Sequence, residues 1–315
     1  MRRRLIFLGA GNFVLLLVIW FSLKPGSSFG EVLARIPADI APVAIAGLAL
    51  TGIVFTGAID LSVSSLIVLA GTLFGAAASH GLPPLPAFLL CICVGWAGMA
   101  FNGWFVSRTQ IPAIIVTLGA LPFYRGVALI ISEMAVPRFS GNISLPSEMF
   151  HAPGKNYAGV CLLMAIAAAF LIEGFSKQSR LWLALGNSPE ALNLIGVDPK
   201  RVLRSAFTVG GAFFGLAALV YVTRVQSIEP ARIALGFELQ AVAVVILGGT
   251  NIFGGEGSYA GTVLGALFLY LISQLLTYAG ASPYLQEAIS GAIILLVIGV
   301  DCALHRRAKY MEELA

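Results

Sequence analysis

Charge is scarce in this sequence, and so are the side chains on which most enzymes rely. Asp, Glu, Lys and Arg make up 11% of its 315 residues, where a soluble domain carries roughly 25%. The three histidines, His80, His151 and His305, fall in loops or at helix ends without zinc-type spacing. Of the four cysteines, Cys91 and Cys93 form a C-x-C with no second pair to complete a metal site, and Cys161 and Cys302 stand alone. All four lie in or at the ends of apolar runs and are expected as small core residues. There is no Gly-rich loop with its Lys to cradle a nucleotide phosphate. These absences argue against a metal site, an ATP site of that type and a His/Cys/Asp catalytic constellation. No cofactor and no nucleic-acid partner are expected.

What remains is apolar. Hydrophobic residues fill 58% of positions and the mean hydropathy is +0.93. A single water-soluble core of this composition would lack the polar surface to cover it. The chain therefore reads as an all-α polytopic membrane protein, with 1–315 as one transmembrane domain. A spanning helix needs about 20 apolar residues. Candidate spans are 5–23, 38–57, 62–79, 86–106, 112–132, 157–175, 205–223, 237–250, 259–278 and 284–301, about ten helices in all. Segment 237–250 is too short to cross comfortably and suits a re-entrant or broken helix. The first span follows Met1-Arg2-Arg3-Arg4 but is long for a signal peptide and has no A-x-A site after it, so it is expected to stay as an anchor.

Basic residues give an orientation. With both termini in the cytoplasm, the inner side carries about twice as many Lys and Arg as the outer, Lys177, Arg180, Lys200, Arg201 and Arg204 among them. The loop 176–204 is then cytoplasmic and the largest on its side, while 133–156, with Pro137, Arg138, Pro146, Pro153 and Lys155, is external.

The cytoplasmic loop carries its own helix signals. Ser188 can accept from a free backbone N–H, and Pro189 sits where a helix loses nothing by it. Glu190 adds negative charge at the positive end of the helix dipole. Gly196 supplies a left-handed stop, and Asp198-Pro199 starts a second helix that runs into the next span. Ala191, Leu192, Leu194 and Ile195 give the short helix an apolar face. That face suits either a helix lying in the headgroup region or a ball seated in a socket on a cytoplasmic partner.

Two Gly-rich breaks interrupt apolar runs in corresponding halves of the chain, at 48–71 and 241–266. Irregular backbone at membrane depth needs protein or a watery cavity around it, and paired broken helices point to a substrate path. Near them lie Asp60, Ser62 and Ser65, with Asn102, Thr117, Tyr124, Arg125, Gln240, Thr250 and Asn251 scattered through the spans. Asp60 suits either a cap at the membrane edge or a polar lining. Arg125 is a charge inside a span and must face protein or the path. Hydroxyls and amides suit a neutral polyol, and no carboxylate cluster marks a proton relay. The helical glycines, including Gly95, Gly211, Gly215, Gly261 and Gly265, suit close-packed helix seams.

Four stretches resemble a known family. ALGNSPEALNLIGVDPKRV (184–202), TGAIDLSVSS (56–65), SRTQIPAIIVTLGALPFYRG (107–126) and FELQAVAVVILGGTNIFGGEGSYAGTVLGA (237–266) are similar to ABC importer permeases of the ribose/xylose/galactose type. The resemblance spans nearly the whole chain in order. It departs where Ala58 and Ser64 replace two glycines usual in that family. It implies a permease of the bacterial inner membrane that moves a sugar-like solute by alternating access. Implied partners are a second permease chain, an external solute-binding protein and a separate ATPase that carries ATP and Mg. The 188–197 helix would dock on that ATPase, with Ser188, Pro189, Glu190, Ala191, Leu192, Ile195 and Gly196 as the coupling residues. The competing expectations are a self-sufficient secondary transporter or channel, and an importer of branched-chain amino acids or nucleosides.

Overall fold

A computed structural model of the chain describes residues 2–22, 28–109, 111–135, 143–144, 157–225, 227–282, 284–293, 295–296 and 299. The helices are α1 (Arg2–Ser22), α2 (Phe29–Val54), α3 (Val63–Ser79), α4 (Pro84–Thr109), α5 (Ala113–Ala135), α6 (Tyr157–Phe175), α7 (Lys177–Asn187), α8 (Pro189–Leu194), α9 (Pro199–Val225), α10 (Phe237–Leu247) and α11 (Tyr259–Tyr278). Residues 284–293 are also helical. Among the described residues, strand pairing is limited to a two-residue antiparallel ladder, β1 (Ile143–Ser144) against β2 (Ser227–Ile228).

Among the described residues, seven helices are long and apolar enough to cross a membrane: α1, α2, α4, α5, α6, α9 and α11. Two further apolar helices are shorter, as expected of the segment 237–250. Helix α3 has 17 residues and α10 only 11. At about 1.5 Å per residue, α10 reaches about 16 Å, half the ~30 Å apolar core of a bilayer. The last expected span, 284–301, and the external loop 133–156 lie partly outside the described residues.

Helices α2 and α9 form the centre of the bundle. Some 72% of their most apolar window is buried, against 11% for α1 and 17% for α5, which stand at the periphery. Missing side chains let α9 approach α4 closely. A Cβ at Gly95 would lie 2.5 Å from Gly215 Cα, and one at Gly211 would lie 2.9 Å from Trp96 O. No larger residue fits such a seam without parting the backbones. The core-cysteine expectation holds for Cys91, which is buried. Cys93, two residues on, faces outward.

The chain has two distinct ends. The α2–α3 turn, the α4–α5 connection, α7, α8 and the α10–α11 turn gather at one, called here the α8 end. The C-terminus of α9, the N-terminal part of α2, β1–β2 and the 229–236 loop lie at the other.

Candidate functional site

At the α8 end the capping signals act as their chemistry requires. Ser188 Oγ accepts from Ala191 N (3.2 Å), closing the N-terminus of α8. Gly196, at φ +75°, ends it, with Val197 N donating to Leu192 O at 3.0 Å. Asp198 Oδ1 accepts from Lys200 N (2.9 Å) and opens α9. The apolar residues divide between two faces. Leu192 is 1% exposed and anchors α8 to its own chain, while Leu194 and Ile195 are 88% and 69% exposed. Pro189, Glu190 and Ala191 are also on the exposed side or its edge.

Sequence reading missed α7. Its Ser176 cap accepts from Gln178 N (3.1 Å). Trp182 is 1% exposed and donates to Ser205 Oγ of α9 at 2.8 Å, with its ring against Gly52 of α2. Next to it, Gly186 meets both Gly-rich breaks. A Cβ there would strike Phe55 O, Gly255 N and Gly254 C. Gly255 N donates to Phe55 O (3.0 Å), and Asn187 Nδ2 donates to Gly255 O (3.1 Å). Gly57 and Gly254, at φ +78° and +89°, lie against each other. The two breaks and α7 thus form one joint of peptide groups. Thr250 and Asn251 belong to the second break. Thr250 is buried at 1% exposure, and Asn251 Oδ1 accepts from Phe253 N at 3.0 Å to shape the turn.

Six of the candidate polar residues come together just inside this end. Asp60, in the turn between α2 and α3, is fully buried. Its Oδ1 accepts from Ser62 N (2.7 Å) and Ser62 Oγ (2.6 Å), and its Oδ2 accepts from Asn102 Nδ2 (2.9 Å). Tyr124 OH donates to Asn102 Oδ1 at 2.8 Å. Thr117 Oγ1 accepts from Leu61 N (3.1 Å), and Ser65 Oγ donates to Ser62 O (2.8 Å). Burial pushes the Asp60 carboxyl above its ordinary value, opposed by the bonds from Ser62 and Asn102. The network ties α3, α4 and α5 together; Asp60 is no cap facing water. Ser64, where the resembled family has glycine, is 1% exposed and sits in α3 beside it, while Ala58 is 7% exposed.

Arg125 and Gln240 stand apart, at the far end. Arg125 Nη1 donates to Pro230 O (2.8 Å) and Nη2 to Ile233 O (3.3 Å), so the intramembrane cation holds the 229–236 loop. Gln240 lines a cavity beneath that loop.

Seven helices among the described residues that are long and apolar enough to cross a membrane, a capped helix projecting from one end and two broken helices joined beneath it define an integral-membrane transport subunit. Comparison with known proteins makes this specific. The chain belongs to the family described as branched-chain amino acid transport system / permease component, matched over residues 32–298. It is 29% identical over 262 residues to the autoinducer 2 import system permease protein LsrC of Photorhabdus laumondii, covering 81% of this chain and 77% of that protein. It is 28% identical to the LsrC of Yersinia enterocolitica, covering 81% and 71%. A solved chain described as an inward-facing metal-chelate type ABC transporter superposes with a TM-score of 0.58 at 12% identity, over 95% of this chain and 99% of that one. That likeness concerns the fold alone. The chain is the membrane subunit of an importer.

Proposed function

We propose that this permease passes a sugar-like solute, delivered by an external binding protein, across the bacterial inner membrane by alternating access. It works beside a second permease chain, and a separate ATPase binds ATP and Mg and docks on α8. Both termini, and the α8 end, then face the cytoplasm. The observation that carries this reading is α8 itself: a helix of six residues, closed at both ends, with Leu194 and Ile195 held outward and Leu192 anchored inward. The import systems named for its relatives support the direction of transport.

The geometry supplies the lever. Motion of the ATPase socket moves α8, and α7 moves with it through Ser188, the residue at which the two helices meet. Gly186 bears on both breaks, and Trp182 bears on α2 and α9. Each stroke therefore reaches the two broken helices through rigid backbone rather than through mobile side chains.

Co-purification with a candidate ATPase subunit tests the reading. Leu194→Asp with Ile195→Asp removes the outward face, and each side chain is worth about 1.5–3 kcal/mol if buried in a socket. The double variant is expected to lose the ATPase and keep the melting temperature of the wild type. Leu192→Ala is expected to lower the melting temperature, because a fully buried leucine costs about 2–5 kcal/mol to truncate. Retention of the ATPase by the double variant would place docking elsewhere. Failure of the folded wild type to bind any such subunit would favour a self-sufficient transporter.

A further inference from the structure

The seam between α4 and α9 ends in a group of cations at the α8 end. Along α9, Phe207, Gly211 and Gly215 meet Gly103, Trp96 and Ile92 of α4, so one stripe of α9, repeating every three or four residues, faces that helix. The same stripe continues through Arg204 and Lys200. Arg204 Nε donates to Ser107 Oγ of α4 at 3.3 Å. The next residue of α4 is Arg108, whose guanidinium carbon lies 5.9 Å from the centre of the Trp104 ring.

These three cations are not neutralised within the described residues. The ion pairs there join Arg201 with Asp198, Arg224 with Asp39 and Arg232 with Glu229. Arg108, Lys200 and Arg204 belong to none of them. The contrast with Arg201 is local, since it stands one residue from Lys200 and has its carboxylate. The Nη groups of Arg204 likewise make no protein hydrogen bond among the described residues.

The surface next to this group belongs to the bilayer. Phe101 and Trp104 are 50% and 44% exposed and stack at 6.0 Å, on a helix long and apolar enough to span. Phe101, Trp104 and Arg108 follow one another at i, i+3 and i+7, on one face of α4. The aromatic pair therefore begins about 10 Å from the cation along the helix axis. Tryptophan near the end of a spanning helix marks the headgroup level, which puts Arg108 where lipid phosphates lie. The outer face of α8 differs, because it offers Leu194 and Ile195 to a protein socket.

We propose that the α8 end of the α4–α9 seam binds an anionic phospholipid. Arg108 and Arg204 hold its phosphodiester, Lys200 adds charge beside them, and an acyl chain lies against Phe101 and Trp104. Guanidinium suits this ligand because its planar fork matches two phosphate oxygens. A zwitterionic lipid carries the same phosphate, but its ammonium would be repelled by the same cations, so the site prefers a net negative headgroup. Basic pockets between membrane helices bind anionic headgroups in this way. The proposal goes beyond the importer reading and does not depend on it, since its test needs no transport.

The test titrates lipid into the purified full chain in detergent and counts bound molecules by native mass spectrometry. Phosphatidylglycerol and phosphatidylcholine with identical acyl chains are compared. The first phosphatidylglycerol is expected to bind at least tenfold more tightly than phosphatidylcholine. Each cation near an anionic lipid surface contributes roughly fivefold, so Arg108→Gln with Arg204→Gln is expected to bring the two lipids within about twofold. Arg201→Gln, which removes a paired cation, is expected to leave the preference intact. Arg108→Gln alone changes an exposed side chain, keeps the fold, and is expected to lose about fivefold. In a second measurement, brominated phosphatidylglycerol is expected to quench tryptophan fluorescence more than brominated phosphatidylcholine, with the difference gone in Trp104→Phe. A lipid preference that survives Arg108→Gln overturns the site. Displacement of phosphatidylglycerol by inorganic phosphate would show a free-anion site and overturn the lipid as its ligand. A double variant that keeps the lipid preference and loses a bound ATPase would assign these cations to that partner, and also overturns the proposal.

Discussion

Asn102→Asp is the most searching perturbation of the buried network, because it changes one atom and one charge. The new carboxylate would stand 2.9 Å from Asp60 Oδ2, where Asn102 Nδ2 now donates. Two like charges at that distance repel by about 6 kcal/mol at an effective dielectric of about 20. A cheaper escape is to bind a proton. Holding a carboxyl with an ordinary value near 4 protonated at pH 7 costs about 4 kcal/mol, which caps the penalty. Loss of the donation to Ser62 Oγ (2.8 Å) adds about 1 kcal/mol. The expected deficit at pH 7 is therefore about 3–5 kcal/mol, or roughly a 5–10 °C fall in melting temperature. The exchange Asp60→Asn with Asn102→Asp restores one carboxylate and one amide and is expected to recover at least half the loss. Thermal unfolding in detergent at pH 7, followed by tryptophan fluorescence, reads all three proteins. A single variant as stable as wild type at pH 7, or an exchange no better than the single change, would refute the network as drawn.

Two further outcomes follow from contacts at the two ends. Gly186→Ala places a methyl group against three backbone atoms that have nowhere to go. It is expected to lower stability by about 3 kcal/mol or to abolish uptake, while Gly174→Ala, which meets open space, changes neither; equal melting curves and uptake for the two variants would count against the joint. Arg125→Met frees Pro230 O and Ile233 O, so hydrogen exchange across 229–236 is expected to rise at least tenfold with protection in α2 unchanged, and an unaltered loop would show that the cation is not its clamp.

Much of the fold was legible because a bilayer imposes a length, and a run of about 20 apolar residues announces itself. The exceptions have physical causes. Helix α7 mixes Lys177, Gln178, Arg180 and Trp182, so it carries no spanning signal, and its place is set by Trp182 and Gly186 meeting distant chain. Every member of the Asp60 network was visible as a polar residue in an apolar run. Their union was not, because it depends on the rotational register of α4 and α5 about α3, and 42 residues separate Asp60 from Asn102. The coupling helix shows the limit most sharply. Four apolar residues in the five positions 191–195 announce an apolar surface, yet only packing against the chain's own core separates the anchor Leu192 from the exposed Leu194 and Ile195. Arg125 was legible as an anomaly and illegible as a clamp, since its partners are carbonyls that sequence does not distinguish.

The joint at Gly57, Gly186, Gly254 and Gly255 bears on the construction of hybrid importers. A designer who wished to drive this permease with a foreign ATPase would graft another permease's 176–198 segment onto it. Leu194 and Ile195 could be exchanged for that purpose, because both are largely exposed. The graft would still fail to transmit unless it brought a glycine to position 186, where any Cβ collides with peptide groups of both breaks. Compatibility between donor and recipient is thus decided by a single hydrogen atom, at a position far from the surface being redesigned.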